Sequence, residues 1–134
     1  MVTPAQLKKL KLAARQAAKR AYAPYSRFKV GAAVLASSGK IYVGCNVENA
    51  SYGLTNCAER TAIFSAVVAG ETSITCVAVY TPTQTATPPC GACRQVIHEF
   101  GPKARVLSFC AGSSQVDLTM TALLPGAFTP KNLA

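Results

Sequence analysis

The sequence lacks any apolar run close to the roughly 18 residues of a membrane-spanning helix, which excludes a spanning segment. It also lacks the apolar h-region of a secretory signal peptide, so a secreted protein built on disulfides is not expected. A chain of 134 residues is long enough to bury a core of ordinary size. We therefore predict one domain over residues 1–134, located in the cytoplasm.

Acidic residues are also scarce, because five Asp and Glu stand against 14 Lys and Arg, and none lies in the first 47 residues. Six basic residues fall on the first predicted helix: Lys8, Lys9, Lys11, Arg15, Lys19 and Arg20. A solvated helix face explains this cluster better than a mitochondrial presequence, since the helix continues into the folded domain. The net charge of +9 nevertheless raises nucleic acid or another anionic partner as an alternative.

The six cysteines fall into two groups. Cys45, Cys76 and Cys110 lie in apolar, strand-like segments, where small buried hydrophobes are expected. The other three belong to Asn56-Cys57-Ala58-Glu59-Arg60 and Pro89-Cys90-Gly91-Ala92-Cys93-Arg94. Together these segments give C-x-E…P-C-x-x-C, which resembles the zinc deaminase signature of three metal ligands and one acid that is not a ligand.

Hydrophobic periodicity and turn residues predict the element order α-β-β-α-β-α-β-β-α. The predicted helices are 4–22, 57–69, 91–100 and 121–124, and the predicted strands are 30–36, 41–45, 74–81, 105–110 and 115–118. Asn56 is a candidate N-cap of the second helix. The short turns at 37–40 and 111–114 make the flanking strand pairs antiparallel. This order predicts an α/β fold of three layers, α/β/α, with a mixed sheet of about five strands.

Each metal-bearing segment lies at a predicted helix start, where free N–H groups and the helix dipole favour a thiolate. Three sulfurs leave the fourth tetrahedral position open, as a catalytic zinc site requires. Three thiolates also give the site a surplus negative charge. Arg60 and Arg94 are placed to donate to the sulfurs and withdraw part of that charge, and Gln95 is expected to support the site beside them.

Glu59 is the candidate acid–base group, with an exposed helix-capping glutamate as the alternative. The Cys90-x-x-Cys93 pair alone would also suit half of a structural zinc site or a redox pair. A structural site needs a fourth ligand, for which His98, the only histidine, is a weak candidate. A redox pair leaves Glu59 without a role.

Five separated segments resemble, in order and spacing, the homotetrameric cytidine deaminases of pyrimidine salvage. They are 22–33 (YAPYSRFKVGAA), 44–52 (GCNVENASY), 57–62 (CAERTA), 89–95 (PCGACRQ) and 123–128 (LLPGAF). The resemblance implies the cytidine deaminase fold and hydrolytic deamination of free cytidine and 2′-deoxycytidine to uridine and 2′-deoxyuridine, with release of ammonia. It also implies one Zn²⁺ per subunit, bound by Cys57, Cys90 and Cys93, with Glu59 moving the protons.

The resemblance further implies a set of substrate-binding residues. Phe28 would stack on the pyrimidine, Asn46 and Glu48 would bind the ribose hydroxyls, and the Ala58 backbone would read the base edge. Ala50, Tyr52 and Phe128 would reach into a neighbouring subunit's pocket. The alternative roles are core aromatics for Phe28, Tyr52 and Phe128, and loop-turning for Asn46 and Glu48.

Two other functions compete with a nucleoside deaminase. A deaminase or binder of nucleic acid is motivated by the positive charge, although polynucleotide deaminases usually have His as the first ligand. A non-catalytic zinc or redox module is the third. The Asn46/Glu48 loop and Phe128 favour a small, enclosed substrate. The positive charge and the long Thr- and Pro-rich segment 81–89 are the notable departures from the family, and neither alters the motif residues.

Overall fold

The computed structural model describes residues 1–133 and contains the predicted order of elements, while residue 134 of the predicted domain lies outside the described residues. The helices are α1 Pro4–Ala18, α2 Ala58–Val68, α3 Gly91–Phe100 and α4 Met120–Leu123. The strands are β1 Gly31–Ala36, β2 Ile41–Cys45, β3 Ile74–Thr81, β4 Arg105–Cys110 and β5 Gln115–Thr119. Short 3-10 helices lie at Tyr52–Leu54 and Pro130–Leu133. In this part of the chain no helix has the length and apolar character needed to cross a bilayer.

The five strands form one mixed sheet in the order β2-β1-β3-β4-β5. The pairs β1–β2 and β4–β5 are antiparallel, as their short turns predict, and β1 also pairs antiparallel with β3. Strands β3 and β4 are parallel, because the segment between them crosses back over the sheet through α3. The predicted mixed sheet is therefore confirmed.

Alternation along β1 divides the core into two layers, since all six of its residues are buried. Ala33 and Leu35 point to one face, where they pack with Leu10 and Ala14 of α1. Ala32 and Val34 point to the other face, which is covered by α2, α3 and α4. The predicted three layers are present, with α1 alone on one side of the sheet.

Helix α1 is shorter than predicted, and the predicted N-cap of α2 is wrong. Helix α1 ends at Ala18 instead of Tyr22, because the Tyr22 backbone turns away to donate to the Asn46 carbonyl at 3.0 Å. Helix α2 has Cys57 as its N-cap, not Asn56. The Asn56 backbone instead pairs with Val47, and its side chain donates to Thr61 Oγ1 at 3.0 Å.

The cysteines outside the motif behave as packing residues. Cys76 and Cys110 are buried as predicted, Cys45 is half-buried, and all three are free thiols. Burial raises the pKa of Cys76 to about 11. A thiol with so high a pKa is protonated at neutral pH and is a poor nucleophile or metal ligand.

Gly44 sets the distance between β2 and the helix that carries the candidate catalytic residues. A Cβ at position 44 would overlap the Ala62 backbone nitrogen and lie 2.7 Å from the Ala58 carbonyl oxygen. Gly44→Ala is therefore expected to lower the free energy of unfolding by about 3 kcal/mol, because α2 must move away from the sheet. Urea denaturation measures the change.

Gly53→Ala is the matched control, since nothing lies within 4 Å of a Cβ at that position and its φ is not positive. Its free energy of unfolding should change by less than about 0.5 kcal/mol. Equal stability of the two variants would show that the contact at Gly44 does not hold α2 against the sheet.

Candidate active site

The three motif cysteines meet where α2 and α3 begin. Cys57 and Cys90 are the N-caps of these helices, and Cys93 lies on the first turn of α3. Neither N-cap sulfur accepts a capping hydrogen bond from the backbone of its helix, which leaves the sulfurs free to face each other. Cys57 Sγ and Cys90 Sγ are 3.9 Å apart, and all three sulfurs lie within 4.8 Å of one another.

This sulfur cluster fits a single zinc ion. Zn–S bonds of about 2.3 Å in a tetrahedron separate the sulfurs by about 3.8 Å, close to the Cys57–Cys90 distance. Neither Glu59 nor His98 belongs to the cluster, and His98 lies in the last turn of α3. These three sulfurs could hold the ion, and a zinc ion bound by them alone would keep one coordination position for water or substrate.

The electrostatics of the cluster favour binding of a cation. The pKa of the Cys57 thiol is lowered to about 5 by its hydrogen bond with Cys93, and the nearby Arg60 guanidinium also lowers it. The pKa of Cys93 is raised, because it shares that hydrogen bond and is buried. The lowered pKa of Cys57 favours the thiolate, which is the form that binds metal.

The two arginines of the motifs have different partners. Arg60 Nη2 donates to Cys57 Sγ at 3.3 Å, the contact that the sequence predicts. Arg94 does not donate to a sulfur: its Nε donates to the Pro89 carbonyl at 2.8 Å and its Nη1 to the Leu123 carbonyl at 3.0 Å. The predicted sulfur contact of Arg94 is wrong: its guanidinium bonds to two backbone carbonyls instead.

Arg94 and Gln95 instead hold the C-terminal segment beside α3. Arg94 joins the residue before Cys90 to the end of α4. Gln95 Nε2 donates to the Phe128 carbonyl at 2.9 Å. Both side chains therefore act on the site through backbone that they position.

Glu59 is buried next to the cluster. Its side chain is 5% exposed, which rules out the alternative of an exposed helix-capping glutamate. Burial raises the pKa of Glu59 to about 6. A carboxyl group with this pKa can both hold and release a proton near neutral pH, as acid–base catalysis requires.

A cavity of about 220 Å³ opens beside Glu59. Six of its lining residues are predicted site residues: Phe28, Asn46, Cys57, Ala58, Glu59 and Cys90. Six others were not predicted: Val30, Thr55, Val79, Thr81, Thr87 and Pro88. Three of these six, Thr81, Thr87 and Pro88, come from the Thr- and Pro-rich segment 81–89. The segment ends immediately before Cys90, and this position in the sequence could have indicated that its last residues lie at the site.

Asn46 and Glu48 hold the loop that presents Phe28. Asn46 Oδ1 accepts from the Val30 backbone at 2.9 Å, and its Nδ2 donates to the Phe28 carbonyl at 2.7 Å. The Glu48 carboxylate accepts from the Ser26 hydroxyl and from the backbone N–H groups of Tyr25 and Ser26 at 3.0 and 3.1 Å. The Ser26 hydroxyl holds the pKa of Glu48 below its usual range. Both side chains therefore turn this loop, and their ribose contacts stay a prediction.

The remaining predicted residues lie outside the cavity. Glu48 and Tyr52 line a neighbouring depression, and Thr55 borders both spaces. Ala50 is exposed, as are the side chains of Tyr52 and Phe128, at 75% and 58%. The aromatic rings of Tyr52 and Phe128 are thus not core residues of this chain, the alternative that the sequence left open.

Comparison with known proteins gives consistent matches to one family. Residues 4–109 match the model of the cytidine and deoxycytidylate deaminase zinc-binding region. The chain is 50% identical over 120 residues to the cytidine deaminase of Halalkalibacterium halodurans, covering 88% of this chain and 90% of that one. It is 48% identical over 130 residues to that of Sporosarcina psychrophila, covering 96% and 95%. The crystal structure of cytidine deaminase from Burkholderia pseudomallei superimposes with a TM-score of 0.87 at 48% identity, covering 95% of this chain and 100% of that one.

Proposed function

This chain belongs to the cytidine and deoxycytidylate deaminase family, and on that premise we propose that it deaminates free cytidine and 2′-deoxycytidine. Each turnover consumes one water and gives ammonia with uridine or 2′-deoxyuridine. One observation carries the proposal: three sulfurs within 4.8 Å of one another stand beside a cavity that also contains the buried Glu59.

Cys57, Cys90 and Cys93 are assigned as the ligands of one Zn²⁺ per subunit. When bound, the ion supplies Lewis acidity, which lets water act as a nucleophile near neutral pH. Arg60 withdraws negative charge from the Cys57 sulfur through its hydrogen bond, which offsets the surplus charge of three thiolates. Thiolate ligands require reduced cysteines, so the cytoplasm is the compartment that we assign.

Glu59 moves the protons of the reaction. A carboxylate oxygen accepts a proton from the attacking water and delivers it to the ring nitrogen beside the reacting carbon, which makes that carbon electrophilic. Glu59 then takes the proton of the hydroxyl group added to that carbon and passes it to the amino group. The C–N bond breaks, ammonia leaves, and the C=O bond of the uridine product forms. The water-poor surroundings of a buried carboxylate favour such transfers, since bulk solvent does not compete for the proton.

The same cavity supports the assignment of the base-binding residues. Phe28 stacks on the pyrimidine, and the Ala58 backbone reads the base edge. Asn46 and Glu48 bind the ribose hydroxyls. Phe28, Asn46 and Ala58 line the cavity together with Glu59, and Glu48 lines the depression next to it. The cavity volume of about 220 Å³ lies below the roughly 300–1,000 Å³ of sites for drug-sized ligands, which suits a nucleoside better than a polymer.

Substrate choice tests this function. The purified, zinc-loaded protein should deaminate free cytidine and 2′-deoxycytidine, followed as a loss of ultraviolet absorbance alongside the zinc content. A cytosine-containing oligonucleotide at the same cytosine concentration should show no turnover. Turnover of the oligonucleotide alone would overturn the proposal in favour of a nucleic-acid deaminase.

A homotetramer is the assembly that we assign, with Ala50, Tyr52 and Phe128 completing the pocket of a neighbouring subunit. Helix α2 supports this assembly because two large apolar side chains on its outward face, Phe64 and Val68, are both exposed. Exposed apolar side chains one helical turn apart often mark a contact with another protein. A second copy of the chain would cover this outward face.

Complementation between variants tests whether Phe128 acts on a neighbour. Phe128→Ala and Glu59→Gln proteins should each have little activity, but subunits co-expressed and purified as mixed oligomers should regain a measurable fraction. The gain arises because an intact Glu59 and an intact Phe128 then meet in one pocket. A fully active monomer in sedimentation would contradict the assignment, and so would mixed oligomers that stay inactive.

A further inference from the structure

The basic residues of α1 have no part in the proposed reaction, although the helix carries much of the positive charge. Four of them, Lys8, Lys11, Arg15 and Lys19, recur at intervals of three or four residues, which places them on one side of the helix. We call these four residues the α1 stripe. At about 1.5 Å per residue the stripe extends for about 16 Å along the helix axis.

Aromatic rings of the sheet hold two side chains of the stripe in place, and no carboxylate neutralises its charge. Lys11 Nζ lies 5.2 Å from the centre of the Phe109 ring, and the Arg15 guanidinium lies 5.1 Å from that of Tyr80. Lys8 and Lys19 are exposed. Across residues 1–133 the one ion pair joins Arg105 to Asp117, so no carboxylate is paired with the stripe.

Each of the five acidic residues either accepts hydrogen bonds from other groups or lies away from the stripe. Glu48 accepts from residues 25 and 26, Glu71 accepts from Ser38 and Tyr42, and Glu59 is buried at the candidate active site. Glu99 lies on α3, across the sheet from α1. Asp117 shares the Phe109 face of the sheet by strand alternation, but both its oxygens accept from Arg105. The stripe is thus a row of free cations.

We propose that the α1 stripe binds the phosphate backbone of double-stranded nucleic acid. Four charges over about 16 Å face about five phosphates of one strand, since these follow one another at about 3.4 Å along the duplex axis. The stripe lies on the opposite face of the sheet from α2 and α3. The bound duplex is therefore a partner of the protein and not its substrate.

A duplex fits this surface better than a single strand or a membrane. Single strands are normally held by aromatic rings on which bases stack. Here the Phe109 ring beneath the stripe is buried, and Lys11 and Arg15 lie over it, so it is not available to stack on a base. An amphipathic helix binds a membrane through its apolar side, but in α1 that side, with Leu10 and Ala14, is buried against the sheet.

Charge reversal at matched positions tests the proposal. Lys8→Glu/Lys19→Glu changes the stripe at its two exposed ends, and Lys40→Glu/Lys103→Glu makes the same change in net charge at exposed loop positions. Binding to a labelled 12-base-pair duplex is measured by fluorescence anisotropy at 50 to 200 mM salt. The affinity should fall at least tenfold at 50 mM salt for the stripe variant and less than threefold for the control. The slope of log affinity against log salt should change from about −3.6 to about −1.8.

Thermal melting shows that each variant is folded, and Lys11→Gln/Arg15→Gln tests the middle of the stripe without adding acids. This variant should also bind the duplex more weakly than the control. If the stripe and control variants lost duplex affinity equally, net charge alone would explain the binding, and the proposal would be overturned. It would also be overturned by no duplex binding at 50 mM salt, by an equal or higher affinity for the single strand, or by binding to anionic vesicles alone. Cytidine turnover, measured in parallel, should be the same in both charge-reversed proteins.

Discussion

Glu59→Gln should retain one zinc per subunit and lose about 10⁴-fold in turnover of cytidine. The amide keeps the size and shape of the buried side chain but cannot accept a proton from water or pass one to the base. Glu59 is not among the three clustered ligands, so the metal should stay. Turnover is measured from the loss of cytidine absorbance and the metal from elemental analysis of the same sample.

Glu99→Gln makes the same chemical change at an exposed position of α3 and should match the unmodified protein in both measurements. Near-normal turnover of Glu59→Gln would end its assignment as the proton carrier. A loss of zinc together with activity would instead place Glu59 among the ligands, against the assignment of three sulfurs.

Cys90→Ala should lose both the zinc and all measurable activity while the chain stays folded. Cys90 supplies one of three sulfurs, and two ligands hold zinc far more weakly than three. Its side chain is exposed, so the substitution leaves no cavity in the core. Zinc content after dialysis, turnover and far-ultraviolet circular dichroism together separate metal loss from unfolding.

Cys45→Ala removes a half-buried thiol that lies outside the cluster and should leave the zinc content unchanged. The unmodified protein treated with a chelator should melt at the same temperature as Cys90→Ala, because both then lack the stabilisation that bound metal provides. One zinc per subunit in purified Cys90→Ala would remove Cys90 from the ligand set.

The local structure was predictable where residue patterns alone determine it. The hairpins β1–β2 and β4–β5 follow from short turns between apolar runs, and the predicted bounds of β2, β3, α3 and β4 match the structure. The pairing of β1 with β3 was not predictable, because it joins residues such as Gly31 and Tyr80 that are far apart in the chain. Likewise, Asn56 has the chemistry of an N-cap but lies one residue too early, since its backbone pairs with Val47.

Arg60 and Arg94 show that contacts within the site are also predictable only when the partners are close in the chain. Arg60 follows Cys57 by three residues on the same helix, and this spacing alone brings the two side chains together. Arg94 follows Cys90 by four residues, but the carbonyl of Leu123 at the end of α4 also needs a donor. Leu123 is 29 residues from Arg94, so only the tertiary structure shows which partner Arg94 takes.

The strand order also governs when the chain can acquire its metal during folding. The edge hairpins close over a few residues, whereas the central β1–β3 and β3–β4 pairs join distant segments and form slowly. Cys57 precedes β3 and Cys90 follows it, so we expect the third sulfur to join the other two only when β3 has its place in the sheet. We therefore expect full zinc coordination to come late in folding. It should slow unfolding while leaving the folding rate nearly unchanged.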